Sequence, residues 1–379
     1  MIPLVYVFLV VKRSRRTSEL SEVYIAGFKF ILIYEDKEFL LYFLRLPLEK
    51  YSVLKSLFDK YTRTNLPDCF LISLFLKDDN SKGRKSREEV VKTISLFVKN
   101  KLYTLGKKDF DYEEVEKSVK AYMELYRKVE RALLKGSLLL AKQPIVDENR
   151  RVCGFELLSR LYDEESQTLI YPKDYLFVFK RTKDLIYIFE DQVFEKGVEL
   201  LTKSKNSDFL YHINFSSFYL FDNFRYIEKE LSRRDLKEKL AVEVTENLFD
   251  IMLEEDDLVE LSHILNSEGI KVIFDDFGEG RSNIYLILRS SFYGLKLSSF
   301  LVREYTKMFD LQLPDYSEKR RAIINSLVKL VRDLSQRGMI KVYIEGIEGE
   351  DDFLRCKQVI NSNYFQGFYF GNPDLSPRT

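Results

Sequence analysis

From Ser137 onward the chain alternates short β-branched and aromatic runs with amphipathic stretches, and this rhythm constrains the fold more than any other feature. Strand-like segments fall at Leu138–Val146, Val152–Leu158, Phe209–Phe215, Leu240–Thr245, Lys271–Phe274, Gly294–Leu297, Lys341–Ile344 and Tyr364–Phe370. Helical spacing of apolar residues separates most of them, as in Tyr187–Leu201, Leu258–Ser267 and Lys319–Gln336. Eight strands within residues 136–379 approach the roughly 250 residues of a (β/α)8 barrel. The first two strands are joined by Asp147–Arg151, too short a link for a helical crossover. They are expected to form a hairpin, leaving one barrel strand antiparallel. The fold class is α/β: a TIM-like barrel preceded by a smaller mixed α/β domain.

That smaller domain is expected over residues 1–110. Val5–Val11, Val23–Tyr34, Glu38–Leu46 and Cys69–Leu76 read as strands, and Leu48–Tyr61 and Arg87–Tyr103 carry helical spacing. The polar tract Lys77–Arg87 reads as a surface loop without the glycine spacing of a phosphate-binding loop. An amphipathic helix from about Tyr112 to Leu134, ending at Gly136, connects the two parts, so residues 111–136 form a connector and 137–379 the barrel. The N-terminal module is left open among a sensory, an oligomerisation and a partner-binding role.

Composition narrows the chemistry. Residues 1–135 hold 27 Lys and Arg against 19 acids, whereas residues 136–379 hold 33 against 41. Surplus carboxylates in the barrel suit metal binding and argue against a nucleic-acid polymer as partner. Cys69, Cys153 and Cys356 are few and far apart, which argues for a reducing cytoplasm and against a disulfide framework or a zinc site. The apolar run Ile2–Val11 is only ten residues long and its basic cluster follows it, so neither a signal peptide nor a membrane span is expected.

In a barrel, functional groups gather where strands end. Val272–Phe274 ends in Asp275-Asp276, followed by Phe277-Gly278-Glu279-Gly280. Adjacent carboxylates repel unless something positive lies between them, although a solvated turn is the plainer reading of the pair alone. The other strand ends supply its company: Glu156 and Arg160, Asn214, Glu243 and Glu246, Lys296, Glu345 and Glu348, and Gln366. Oxygen ligands with no His or Cys among them point to Mg²⁺ or Mn²⁺, about two ions by charge.

These segments carry a resemblance. Gln143–Asp147 reads Q-P-I-V-D, and Glu156-Leu157-Leu158 stands within Gly154-Phe155-Glu156-Leu157-Leu158-Ser159-Arg160. Asn214–Ser216, Glu243–Glu246, Asp275–Gly280, Ile344–Glu348 and Gln366–Pro373 follow in order. Residues from about Leu133 to Pro373 resemble the EAL family of cyclic di-GMP phosphodiesterases, a bacterial signalling family. The resemblance implies a two-metal hydrolysis of cyclic di-GMP to linear pGpG. It implies Glu156, Asn214, Glu243 and Asp275 around one ion, and Asp275, Asp276 and Glu345 around the other. Lys296, with Glu156 and Glu345, would act on the water and the developing charge. Gln143, Leu158, Arg160, Gln366 and Pro373 would line the substrate groove. Glu246 would brace the loop carrying Gly278 and Gly280, and Glu348, Gln366 and Ser298 would support the site from behind. A homodimer through the barrel is implied as well.

The chain also departs from that pattern. Ser298 follows Lys296-Leu297 where the family has Asp, removing a carboxylate beside the expected water. Leu157 replaces Ala, Phe179-Lys180 replaces Ala-Glu, and Glu279 and Arg281 replace Thr and Tyr. No diguanylate cyclase signature is present. Two readings stand: a phosphodiesterase of reduced turnover, and an EAL-type receptor that binds cyclic di-GMP or a protein without hydrolysis.

Overall fold

The computed structural model describes residues 4–12, 22–25, 28–35, 39–47, 54, 69–76, 112–179, 183–204, 207–244, 255–278, 284–307, 318–360 and 364–375. The chain forms two compact units, Met1–Lys128 and Val129–Thr379. In the first, β1 (Leu4–Lys12), β2 (Glu22–Ile25), β3 (Phe28–Glu35), β4 (Phe39–Pro47) and β5 (Cys69–Leu76) make an antiparallel sheet in the order β2-β3-β4-β1-β5. The run expected as one strand over Val23–Tyr34 is two strands paired with each other, from Glu22↔Ile31 to Ile25↔Phe28. The expected loop Lys77–Arg87 and helix Arg87–Tyr103 lie outside the described residues, as does the expected helix Leu48–Tyr61 apart from helical, buried Leu54.

The second unit begins inside the helix α1 (Tyr112–Leu134). Its strands are β6 (Leu138–Val146), β7 (Val152–Asp163), β8 (Thr168–Ile170), β9 (Leu210–Phe215), β10 (Leu240–Val244), β11 (Lys271–Phe277), β12 (Gly294–Leu297), β13 (Lys341–Ile344) and β14 (Tyr364–Gln366). Its further helices are α2 (Pro172–Phe179), α3 (Lys183–Lys203), α4 (Ser217–Arg234), α5 (Glu255–Ser267), α6 (Ile284–Arg289), α7 (Ser299–Lys307), α8 (Glu318–Gln336) and α9 (Glu350–Ile360). The strand order β6-β14-β13-β12-β11-β10-β9-β7 closes through a β6–β7 pairing into an eight-stranded barrel, and β8 adds to β7 outside the ring. β6 runs antiparallel to both of its neighbours, while the other barrel pairs are parallel.

The tight β6–β7 turn explains that reversal. Asp147 Oδ1 accepts the backbone N–H groups of Asn149 and Arg151, both at 2.8 Å, and Arg150 takes a positive φ of 63°. A short polar side chain that satisfies two turn amides lets the chain double back without a helix.

Three strand ends differ from expectation by three residues or more, and one of them is β11, which runs on to Phe277 and so contains Asp275 and Asp276. β14 stops at Gln366, because the chain turns at once and Tyr369 N–H and Phe370 N–H bond to Ile347 and Gly367 carbonyls. β7 runs on to Asp163 and folds back as β8, which the sequence pattern did not reveal.

Alternation along the strands makes two cores. Outward residues Phe274, Leu295, Leu297, Val342, Ile344 and Phe365 pack under α7, α8 and α9 through Val302, Tyr305, Val328, Val331 and Phe353. Inside the barrel, Ile145, Ala241, Ile273 and Tyr343 form a smaller apolar cluster. Tyr343 needs room there, and Gly294 supplies it: a Cβ on Gly294 would lie 2.8 Å from the tyrosine ring. Among the described residues no helix is long and apolar enough to cross a membrane.

The end of α1 is clamped to the barrel. Arg131 donates to Asp163 Oδ1 at 3.2 Å and Oδ2 at 2.9 Å, and Ser166 Oγ donates to Oδ2 at 2.6 Å. Burial pushes the Asp163 carboxyl up, but the guanidinium and hydroxyl outweigh it and hold it at about 2. Because the folded value is depressed, this stabilisation is present above pH ~4 and is lost as pH falls toward 2. Asp163→Asn is expected to cost roughly 1–2 kcal/mol at pH 7, Arg131 being a third exposed, and to flatten the stability profile between pH ~4 and ~2. Urea unfolding across that range measures both effects.

Candidate active site

Two residues above the apolar cluster, each strand delivers a polar side chain to the barrel interior. Glu156 comes from β7, Asn214 from β9, Glu243 from β10, Asp275 from β11, Lys296 from β12 and Gln366 from β14, with Glu345 just past β13. Lys296 is wholly buried and its ammonium is the hub. It lies 2.6 Å from Glu345 Oε1, 3.0 Å from Glu243, 3.2 Å from Glu156 Oε2 and 3.6 Å from Asp275 Oδ1.

Glu156 is the best satisfied of the acids. Besides Lys296, Asn214 Nδ2 donates to its Oε1 at 2.7 Å and Gln366 Nε2 to its Oε2 at 2.5 Å. Gln366 Nε2 also donates to Gln143 Oε1 at 3.0 Å, and Gln143 Nε2 donates to the Gly371 carbonyl at 3.2 Å. Burial opposes ionisation of Glu156, but Lys296 and these amide donors hold its carboxyl at about 2.

The remaining acids are short of positive charge. Burial and then repulsion from Glu156 push Glu243 well above the usual carboxylate range. Burial also raises Asp275, and it lifts Glu345 to about 8, Lys296 offsetting only part of the cost in each case. Burial pulls Lys296 down, but four carboxylates around it raise it well above its ordinary value. Among the described residues, one ammonium cannot compensate this many acids in a dry interior. Such a deficit is compatible with a bound cation.

Asp275, Asp276 and Glu345 form a group that could hold a cation. Each offers one oxygen, and these atoms lie within 4.8 Å of one another. Asp276 adopts a left-handed φ of 55° and its N–H donates to Asp275 Oδ1 at 2.9 Å. Gly278 follows at φ 96°, with Leu301 packed where a Cβ would stand. An all-oxygen donor set of carboxylates and an amide fits Mg²⁺ or Mn²⁺.

The other sequence-derived residues fall around this centre or away from it. Leu158 and Arg160 are half-buried on β7, and the Arg160 guanidinium lies 5.4 Å from the ring centroid of exposed Tyr171. Pro373 is half-buried beside Asp374, whose backbone pairs with Lys142. Glu348 is exposed on the loop after β13. Phe179 is a core residue, packed on Tyr175 and Phe189. Glu246, Gly280, Lys180, Glu279 and Arg281 lie outside the described residues.

Ser298 has a structural duty. It is fully buried, its Oγ accepts the Leu301 N–H at 3.2 Å and its carbonyl accepts the Val302 N–H, so it caps α7. Sequence reasoning missed two further residues. His212 Nδ1 meets Glu243 Oε1 at 2.8 Å, and Glu190 on α3 accepts the Ser216 N–H and hydroxyl at 2.6 and 2.7 Å. His212 was accessible in principle, since it precedes Asn214 by two on a strand and therefore shares its inward face. Glu190 lies on a helix and carries no comparable signal.

The EAL domain profile matches residues 126–373. The chain belongs to the EAL domain family. It is 27% identical over 256 residues to the probable cyclic di-GMP phosphodiesterase PdeI of Escherichia coli, covering 64% of this chain and 29% of that one. It is 26% identical over 262 residues to the bifunctional diguanylate cyclase/cyclic di-GMP phosphodiesterase MucR of Pseudomonas aeruginosa, covering 66% and 35%. The chain thus spans about a third of the length of these curated relatives. Among solved structures, the PaMucR phosphodiesterase in complex with c-di-GMP superposes with a TM-score of 0.54 at 25% identity, covering 66% of this chain and 97% of that one.

The cap assigns a measurable role to Ser298. Ser298→Ala is expected to lower stability by about 1 kcal/mol. Thermal and urea unfolding check the loss.

Proposed function

We propose that this chain is a metal-dependent phosphodiesterase that hydrolyses cyclic di-GMP to linear pGpG. The observation that carries the reading is the interior carboxylate cluster: Glu156, Glu243, Asp275 and Glu345 converge on one ammonium, and Asp276 joins Asp275 and Glu345 at the rim. Glu156, Asn214, Glu243 and Asp275 would hold one divalent ion, and Asp275, Asp276 and Glu345 a second. Such ions supply Lewis-acid activation of water and of the phosphodiester.

The chain's own residues have the remaining tasks. Hydrolysis adds the hydroxyl of water to one phosphorus and breaks its bond to the ribose 3′-oxygen, which takes the proton. Lys296 would offer an N–H to negative charge developing on the phosphoryl group. Asn214 and Gln366 orient Glu156 from both of its oxygens. Arg160, steadied over Tyr171, offers a guanidinium to an anionic dinucleotide at the groove. The N-terminal unit, residues 1–110 with the connector 111–136, would regulate or oligomerise this barrel. Free Cys153 and Cys356 fit a reducing cytoplasm.

The receptor reading keeps one specific support: a helix-capping serine stands where the family carries a carboxylate. Purified protein incubated with cyclic di-GMP and Mg²⁺ or Mn²⁺ separates the two. Linear product is expected, and Glu156→Ala is expected to reduce its formation at least ~10²-fold. Tight binding with no product over hours at any metal concentration would establish the receptor instead. Ser298→Asp is expected to raise the rate by restoring the carboxylate that the family carries at this position.

A further inference from the structure

We propose that His212 is a positioning residue that fixes Glu243 as a cation ligand through a neutral Nδ1–H donor. The proposal rests on the metal-dependent reading above. His212 and Glu243 are both buried to within 1% of complete, and their Nδ1 and Oε1 atoms lie 2.8 Å apart. Asn214 stands opposite Glu243 in the β9–β10 register, and His212 stands opposite Ala241, one inward step deeper. The small Ala241 side chain leaves the imidazole space to reach up to Glu243.

The ring is held from the other side as well. Tyr343 packs edge-to-face on it, with centroids 4.9 Å apart and planes at 75°. Tyr343 in turn stacks on Tyr364 at 4.7 Å and fills the space left by Gly294. His212 therefore has one orientation, set by an aromatic wall and a carboxylate.

The chemistry assigns the proton. A carboxylate that coordinates a cation can only accept hydrogen bonds, so the nitrogen facing it must donate. A neutral imidazole does this without adding charge. A second ammonium in the same place would restrain Glu243 equally but repel the incoming cation. Without that donor, Glu243 faces Glu156, Asp275 and Glu345 with Lys296 as its one restraint among the described residues. Outer donors of this kind set ligand orientation and commonly change metal affinity 10–100-fold. The chain's other histidine, His263, is exposed on α5 and bonds Ser291 and the Arg289 carbonyl, outside the site.

The test is a Mn²⁺ titration of the full chain, read by electron paramagnetic resonance of free Mn²⁺ and by calorimetry, with folding checked by circular dichroism. His212→Leu is expected to weaken Mn²⁺ binding ~10–100-fold, and His212→Asn, which keeps an N–H at the Nδ1 position, to stay within about threefold of the parent. Should leucine prevent folding, His212→Met supplies the same lack of a donor on a more adaptable chain. Unchanged affinity in the donor-free variants overturns the proposal. So does equal weakening in His212→Asn and His212→Leu, because packing alone would then explain the effect. A parent chain that binds no Mn²⁺ at all overturns the metal-dependent reading itself, an outcome distinct from the other two.

Discussion

The barrel interior is organised by the Lys296 ammonium. Its four carboxylate neighbours come from β7, β10, β11 and the end of β13, so a single cation ties together half the ring. This arrangement is poised rather than relaxed. Glu156 is fully compensated by amides and the lysine, whereas Glu243, Asp275 and Glu345 are left with raised proton affinity. A buried charge set that is only partly neutralised costs stability unless another positive species joins it. The family to which the chain belongs gives that physical deficit a chemical context.

Below the polar tier, side-chain size is distributed to support it. Gly294 and Ala241 leave space, while Tyr343, Tyr364 and His212 occupy it. The result is a rigid aromatic floor beneath the carboxylates. The same two-residue period that places acids at the rim places this floor, so the two tiers are consequences of one strand geometry.

Much of this was legible in the chain itself. The barrel followed from strand spacing, and the antiparallel β6 from the five residues Asp147–Arg151, which cannot hold a crossover. Asn214, Glu243, Asp275, Lys296, Glu345 and Gln366 lie at or near strand ends and Glu156 within β7; periodicity aims them inward, and the structure brings them together. Other features depend on contacts with no local pattern. Ser298 reads as a missing carboxylate until its hydroxyl is found on the Leu301 N–H. Glu190 reaches Ser216 from a helix, across a sequence separation that no motif spans. Asp163, amid neighbouring acids, reads as surface charge until Arg131 closes over it. The short β8 and the early end of β14 likewise reflect turn bonding rather than residue preference.

The reversed strand has one more effect. In a barrel of parallel strands the polypeptide enters at the end remote from the chemistry. Here β6 runs the other way, and its first residue, Leu138, pairs with Leu161, beyond Glu156 on β7. The entrance to the barrel is therefore on the carboxylate side. The last turn of α1 grips β7 through Arg131 and Asp163, seven residues past a proposed ligand. That ion pair joins the helix terminus directly to the strand bearing Glu156, outside the barrel core.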